Sequence, residues 1–401
     1  MKSRTGLIVI GFFIQCTTMS FGRFAYTLIL PAMMKDLHFS TTLMGLLGTG
    51  IVMGYLYFSY KSGVLSCTLG PYLTVKLSIL LVSISLFCLG YFSRYFVLLA
   101  SSLGLGAGAA GSYIPLIHIM NKRFRGRGKA FGLVMGGAGA GIMLSGYIIP
   151  QLLRVGYRPC WYALSGINTV VLIIVLVFMK AGEDGMKLVD GNHRIGFMAP
   201  FRGNRPLMLT TIVYMLVGFS YIIYITYFGP YSIDELGYTE RTTGIMWSLF
   251  GLNTVYSGLF WGTIADRKGS AKTACIVTGL LTLSVALIIP SSAKPVLYLS
   301  TFLFGLSFLG FITVIVSIIS AAVEQQVMGA VFGTATLLHG GGQVLGASSA
   351  GVLKDLSGTF RVPLSLSVLL LLCCIILLLR LMSTEAQGVY HISGLHSREK
   401  Y

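Results

Sequence analysis

Arg23 stands in the run Phe21-Gly22-Arg23-Phe24-Ala25-Tyr26-Thr27-Leu28, with apolar turns on both sides. A guanidinium keeps its charge at any physiological pH and offers five N–H donors in a planar fork, a shape that grips a carboxylate through two parallel bonds. In the middle of a membrane it costs about 2.5–3.5 kcal/mol on insertion scales, so it must face a wet cavity or a polar partner. All 12 acids of the chain fall in predicted loops, tails or helix ends, and none lies in the middle of an apolar run. Two readings stay open: a counter-charge for an anionic group on a bound ligand, or a clamp between helices onto carbonyls, hydroxyls or a glutamine. The missing buried carboxylate favours the first. It also weakens any scheme that relays protons through a mid-membrane Asp or Glu.

Other groups could share such a site. His339 is the best remaining titratable group, with an ordinary pKa of about 6.5 that suits proton coupling, although a neutral packing histidine fits as well. Gln343 follows four residues later, on the same helical face. Tyr214, Tyr221 and Tyr224 follow an i, i+7, i+10 stripe, and Tyr227 lies just beyond. Tyrosine pairs a flat apolar body with a polar tip, so the stripe suits a ligand wall, helix packing or an interfacial anchor. Tyr26, three residues beyond Arg23, is expected on its face, and Tyr113 sits in a glycine-rich apolar run. The site expected from residue types is Arg23, Tyr26, Tyr113, Tyr221, Tyr224, His339 and Gln343.

Competing chemistries lack their residues. There is no His-Glu-x-x-His, no paired acids and no Ser/His constellation, so an enzyme is not expected, nor any metal or cofactor. The glycine runs Gly104-Leu105-Gly106-Ala107-Gly108, Gly136-Gly137-Ala138-Gly139-Ala140-Gly141 and Gly340-Gly341-Gly342 lack the Lys-Ser/Thr ending of a phosphate loop. They read as small-residue surfaces for close helix contact. The 7 cysteines show no CxxC or Cys/His spacing and read as reduced packing residues.

These side chains need elements to hold them, and composition says which. Hydrophobic residues make up 55% and charged residues 10%, with a mean hydropathy of +0.82. A soluble domain carries about 25% charged residues, so the expected solvent is the lipid bilayer. Apolar runs long enough to span it fall at 6–33 (helix 1), 42–60 (helix 2), 73–92 (helix 3), 95–120 (helix 4), 130–150 (helix 5) and 161–180 (helix 6). Six more fall at 206–229 (helix 7), 243–262 (helix 8), 272–290 (helix 9), 296–320 (helix 10), 329–352 (helix 11) and 363–382 (helix 12). The fold class is thus an all-α membrane protein of twelve transmembrane helices. The N-terminal start, with Lys2 and Arg4 before an apolar run, mimics a secretory signal but lacks a cleavage pattern.

The net charge of +17 could suggest nucleic acid, but the basic residues cluster in short loops. With both termini cytoplasmic, inside segments hold 20 of the 29 basic residues, as the positive-inside rule prefers. The chain then divides into an N-terminal six-helix bundle (1–180), a cytoplasmic linker (181–205), a C-terminal six-helix bundle (206–382) and a cytoplasmic tail (383–401). A multi-pass protein of the plasma (inner) membrane is expected, without nucleic-acid partners.

The halves repeat. At a shift of 199, Pro31 meets Pro230, Gly45 meets Gly244, Gly63 meets Gly262 and Gly70 meets Gly269. At 201, Phe131-Gly132 meets Phe332-Gly333, and Gly139 and Gly141 meet Gly340 and Gly342. Duplicated six-helix halves mark facilitator-type transporters. The run Gly262-Thr-Ile-Ala-Asp266-Arg267-Lys268-Gly269-Ser-Ala-Lys272 resembles the signature loop of the major facilitator superfamily, G-x-x-x-D-[RK]-x-G-x-[RK]-x. Its first-half counterpart, Gly63 to Gly70, keeps the glycines but lacks the acid and base. Phe21 to Met33, with Arg127-Gly128-Lys129-Ala130-Phe131-Gly132, resembles the YbfB/YjiJ branch.

The resemblance covers essentially the whole chain. It implies a major facilitator fold of two pseudo-repeated bundles and secondary transport by alternating access about a midplane site. It also implies a gate at Gly262, Asp266, Arg267 and Gly269, and action as a monomer. With Arg23 the expected substrate is a small organic anion such as a carboxylate, with a coupling proton or an exchanged anion left open. Helix 5 lacks the Gly-Pro pair of the antiporter signature. Efflux of drug-like or neutral solutes, or a membrane sensor that binds without transport, are the alternatives.

Overall fold

The computed structural model describes residues 4–123, 128–179, 201, 204–323 and 328–386. Among the described residues there are twelve long helices and no strand. Helix 1 has three parts: Arg4–Ile14, a π-helical stretch Gln15–Phe21, and Tyr26–Leu37. Helices 2 to 6 are Thr41–Thr68, Pro71–Tyr91, Tyr95–Arg123, Gly128–Leu152 and Tyr157–Phe178. Helix 7 is Arg205–Pro230, extended by a π-helical turn Tyr231–Glu235. Helices 8 to 12 are Glu240–Lys268, Ser270–Ile288, Lys294–Ala322, Met328–Ser357 and Arg361–Ala386.

Local residue choice explains several starts. Ser40, Asn204 and Thr239 each accept a bond from the backbone N–H three residues on, at 3.3, 3.0 and 3.2 Å. Helices 3, 7 and 10 have proline in the first turn, where the missing N–H is not needed. Many helices overrun the apolar runs, helix 2 to Thr68 and helix 8 from Glu240 to Lys268. The apolar run marks the hydrocarbon core, whereas intrahelical bonds continue into the interface. Among the described residues, ten helices are long and apolar enough to cross a membrane by length and composition. Helices 8 and 11 are as long but richer in polar residues and glycine, and each packs along a helix of the opposite half. The 181–205 segment lies almost wholly outside the described residues. Of the 383–401 tail, Ser383 to Ala386 continue helix 12 and residues 387–401 lie outside them.

Between the halves, helix 5 runs against helix 8, helix 2 against helix 11, and the Tyr26–Leu37 part of helix 1 against helix 7. The repeat seen in sequence is a repeat of contacts. A Cβ on Gly106 would collide with the Ile51 carbonyl, and one on Gly305 with the Phe250 carbonyl; both members of the pair move by the same 199 positions. Gly141 lies on the Cys16 carbonyl and Gly342 on the Met215 carbonyl, while Gly139 meets Val255 and Gly340 meets Leu56. The turns match too. Gly70 and Gly269 have φ +84° and +88°, a conformation that excludes a side chain at little cost only for glycine. The hydroxyls of Thr74 and Thr273 donate to their carbonyls at 2.9 and 2.8 Å.

The end of the bundle carrying the loops at 38–40, 236–239 and 358–360 is tied across the halves. Asp355, at the end of helix 11, accepts from the backbone N–H and hydroxyl of Thr42 at 2.7 and 2.5 Å, so it caps helix 2. Lys35 pairs with Asp234 at 3.1 Å. Toward the other end, among the described residues, helices 4 and 10 pack no interface with each other.

Candidate functional site

Helix 1 brings Arg23 to the middle of the bundle just past its π-helical stretch. The Ser20 hydroxyl bonds the Ala138 carbonyl of helix 5, and the Ser20 carbonyl accepts from both Phe24 and Ala25. π-Helical segments of this kind recur at functional sites. The Arg23 guanidinium lies over the Tyr55 ring of helix 2 at 4.5 Å from its centroid and donates from Nη2 to Gln343 Oε1 of helix 11 at 2.5 Å. Its Nε is buried and, among the described residues, has no hydrogen-bond partner. Arg23, Tyr55 and Tyr113 are each partly exposed, whereas Gly22, Phe24, Tyr221 and Gln343 around them are buried. The guanidinium is thus held between helices 1, 2 and 11, with a glutamine as its hydrogen-bond partner.

Helix 11 reaches Arg23 because its glycines allow close approach. A Cβ on Gly340 would collide with Leu56, and one on Gly342 with the Met215 carbonyl. His339 sits between them and the tyrosines of helix 7. It stacks on Tyr214 at 3.8 Å with a 13° tilt, over Gly218, where a Cβ would come within 2.7 Å of its Nδ1. Nδ1 lies 2.6 Å from the Tyr214 carbonyl and Nε2 lies 3.2 Å from the Tyr221 hydroxyl. A carbonyl only accepts, so Nδ1 carries the hydrogen; in the neutral ring Nε2 accepts from Tyr221. Arg23 lies within electrostatic reach of His339, Tyr55 and Tyr221, and Tyr55, Tyr113 and Tyr214 lie within reach of one another. The result is a cation ringed by neutral donors and acceptors.

The structure gathers Arg23, Tyr113, Tyr221, His339 and Gln343 of the expected residues. Tyr26 and Tyr224 go elsewhere. Phe24 and Ala25 form a turn, so Tyr26 leaves the Arg23 face and donates to the Met44 carbonyl at 2.7 Å. Tyr224 bonds the Ser300 hydroxyl at 2.9 Å and stacks on Phe304 at 4.0 Å, inside the second half. Tyr55 escaped the sequence reading, since a tyrosine in an apolar helix carries no signal of its own. Tyr214 showed as part of the helix 7 stripe without a role. Gly262, Asp266 and Arg267 fall in the last two turns of helix 8 and not in a loop, with only Gly269 between helices 8 and 9; Gly262 is half-buried, Asp266, Arg267 and Gly269 are exposed, and among the described residues Asp266 has no ion pair.

Comparisons with known proteins agree with this architecture. The model of the family described as "Uncharacterised MFS-type transporter YbfB" matches residues 15–379. A hexuronate transporter of Bacillus subtilis (strain 168) is 21% identical over 362 residues, covering 84% of this chain and 85% of its own. The multidrug resistance protein MdtG of Enterobacter lignolyticus (strain SCF1) is 27% identical over 166 residues, 40% of this chain and 39% of its own. The crystal structure of the nucleoside transporter NupG superposes with a TM-score of 0.78 at 14% identity, covering 96% of this chain and 99% of that one. It shares the fold.

Proposed function

The chain belongs to the YbfB family of MFS-type transporters, a family of multi-pass membrane proteins that move small molecules, and from that premise we propose that it carries a small organic anion such as a carboxylate by alternating access. One observation carries the substrate class: the mid-bundle guanidinium of Arg23 has a buried, unpartnered Nε and only a neutral oxygen on Nη2. A bound carboxylate would complete it. The hexuronate relative supports the same class.

The halves would rock about the Arg23–Gln343 level, with the interface of helices 5 and 8 and that of helices 2 and 11 as the sliding surfaces. If both termini are cytoplasmic in the inner membrane, as the basic clusters favour, the end tied by Asp355 and Lys35 faces outward. Asp266 and Arg267 then lie on the cytoplasmic side, suited to a gate. Drug-like efflux is a second reading, favoured by the MdtG likeness and by the aromatic rings of Tyr55, Tyr221 and Phe308. A fixed positive charge at the centre opposes cationic drugs.

The test is a thermal-shift panel on purified protein with D-glucuronate, D-gluconate, succinate, glucose and tetraphenylphosphonium, followed by uptake into proteoliposomes. The expected outcome is stabilisation by at least one carboxylate. Arg23→Ala should weaken it by about 100-fold or more, given two charge-assisted bonds of about 1.5–3 kcal/mol each. Equal stabilisation of both proteins by carboxylates, or stabilisation by the organic cation alone, sinks the anion reading.

A further inference from the structure

We propose that Gln343 is a built-in stand-in for the substrate's carboxylate, a displaceable neutral ligand through which the second half holds the first while the site is empty. The inference rests on the anion reading above and deepens it. Nε and Nη2 form the side edge of a guanidinium, the edge that takes both oxygens of a carboxylate at once. That edge is half used: Gln343 Oε1 lies on Nη2 at 2.5 Å, while Nε is buried with no partner among the described residues. An amide has one oxygen where a carboxylate has two, so Gln343 cannot complete the pair. The other groups near the guanidinium are no better suited. Tyr55 covers its face with a ring, the hydrogen atom of Tyr221 is directed to His339, and no carboxylate stands within the cluster among the described residues.

Residue 343 is therefore poised between two needs. A neutral acceptor shields the charge without matching an incoming anion, so the anion wins the edge and Gln343 is released. Release matters because Arg23 belongs to helix 1 and Gln343 to helix 11, on opposite halves. The bond is a link between them at the level of the site, separate from the Thr42–Asp355 contact at the bundle's end. Substrate arrival exchanges a direct bond between halves for one routed through the ligand. The glycines at 340 and 342, which lie on Leu56 and on the Met215 carbonyl, leave helix 11 free to move without withdrawing a bulky side chain. The amide freed by displacement still has two N–H donors, suited to a hydroxyl next to the carboxylate; that favours hydroxy acids over simple fatty acids.

The test compares wild type, Gln343→Met, Gln343→Glu and Arg23→Ala by titrating whichever carboxylate of the panel stabilises the wild type. Gln343→Met removes the competitor and should tighten binding of a carboxylate without a neighbouring hydroxyl, succinate, about 3- to 10-fold, because a charged hydrogen bond no longer has to be broken. Gln343→Glu supplies the second oxygen from within. It should abolish carboxylate binding and raise the melting temperature of the ligand-free protein, a rise that disappears in the Arg23→Ala, Gln343→Glu double variant. Gln343→Met binding as weakly as Arg23→Ala, or Gln343→Glu binding as wild type does, overturns the stand-in role and leaves the anion reading intact. If no carboxylate binds the wild type, the anion reading fails and takes this inference with it. The ligand-free melt of Gln343→Glu against the double variant still reports whether the two side chains meet.

Discussion

Helix 5 of the first half and helix 11 of the second cross the interface on the same glycine spacing, and each lays a glycine on a backbone carbonyl of the helix that begins its own half. Their chemistry differs. Where helix 11 carries His339 and Gln343, helix 5 carries Ala138 and Ile142 at the offset of 201. Arg23 of helix 1 meets Ile222 of helix 7, Tyr221 meets Gly22, and Asp266 meets Cys67 at 199. Backbone contact is thus duplicated, and the polar groups around Arg23 are not. Sterics explain the difference: a helix pair that slides needs small residues on both sides of the pseudo-symmetry axis, whereas a ligand in the centre lacks that symmetry and needs unlike walls. The first half supplies the charge. The second supplies neutral hydrogen-bonding groups.

Breaking the shared scaffold should cost the most and should cost equally. Gly106→Leu and Gly305→Leu each drive a side chain into a carbonyl, and each should lose about 3 kcal/mol or more of stability, read as loss of monodisperse protein and a lowered melt. Tolerance of one and not the other would mean the repeat is only a sequence echo. The next effect is smaller. Gly70→Ala and Gly269→Ala force a side chain to φ near +84° and +88°, costing about 1–3 kcal/mol in each half, again by thermal melts.

The proposed gate sharpens the contrast. Asp266→Asn should slow uptake several-fold with ligand affinity retained, while Cys67→Ser in the matching first-half turn should leave both unchanged; unaltered flux in Asp266→Asn removes the gate role. Smallest is the tie at the bundle's end. Partial burial pushes the Asp355 carboxyl up, but bonds from Thr42 and Thr41 outweigh it and hold the group below its usual range. Its contribution is complete above the unfolded value of about 3.9 and fades as pH falls through the lowered folded value. The matching positions on the other side are Arg154 and Arg241, two bases, so of the two matching edges acid should loosen the one at helices 2 and 11 and not the one at helices 5 and 8. Asp355→Asn should cost about 1 kcal/mol or less for so exposed a group and flatten the acid limb of a pH-dependent melt. A melt and limb identical to wild type would discard the tie.

How much of this was legible beforehand follows from what each feature demands of the chain. A membrane span needs some twenty apolar residues in a row, so hydropathy exposed the helices, although the less oily helices 8 and 11 owe their place to partners rather than to lipid. The glycine repeat was legible because a backbone contact admits one residue type at a fixed position. Arg23 stood out because its charge is costly in oil. Side-chain direction was harder. The expected face for Tyr26 assumed a regular helix through residues that form a turn, and Tyr224 kept the spacing of the stripe but turned inward to Ser300. Tyr55 lies beneath the guanidinium because helices 2 and 4 approach closely at Gly106, a tertiary fact with no local signature.

The seven residues Gln15–Phe21 have one further consequence. A carbonyl that reaches five residues ahead instead of four threads extra chain into each revolution, and each surplus residue rotates everything downstream by about 100°. Helix 1 thus works like a screw with a shim under its head, and the shim decides where residue 23 points. Deleting one residue from that stretch would leave every residue after it unchanged in type yet aim the guanidinium at a neighbouring helix, a loss of function produced by rotation.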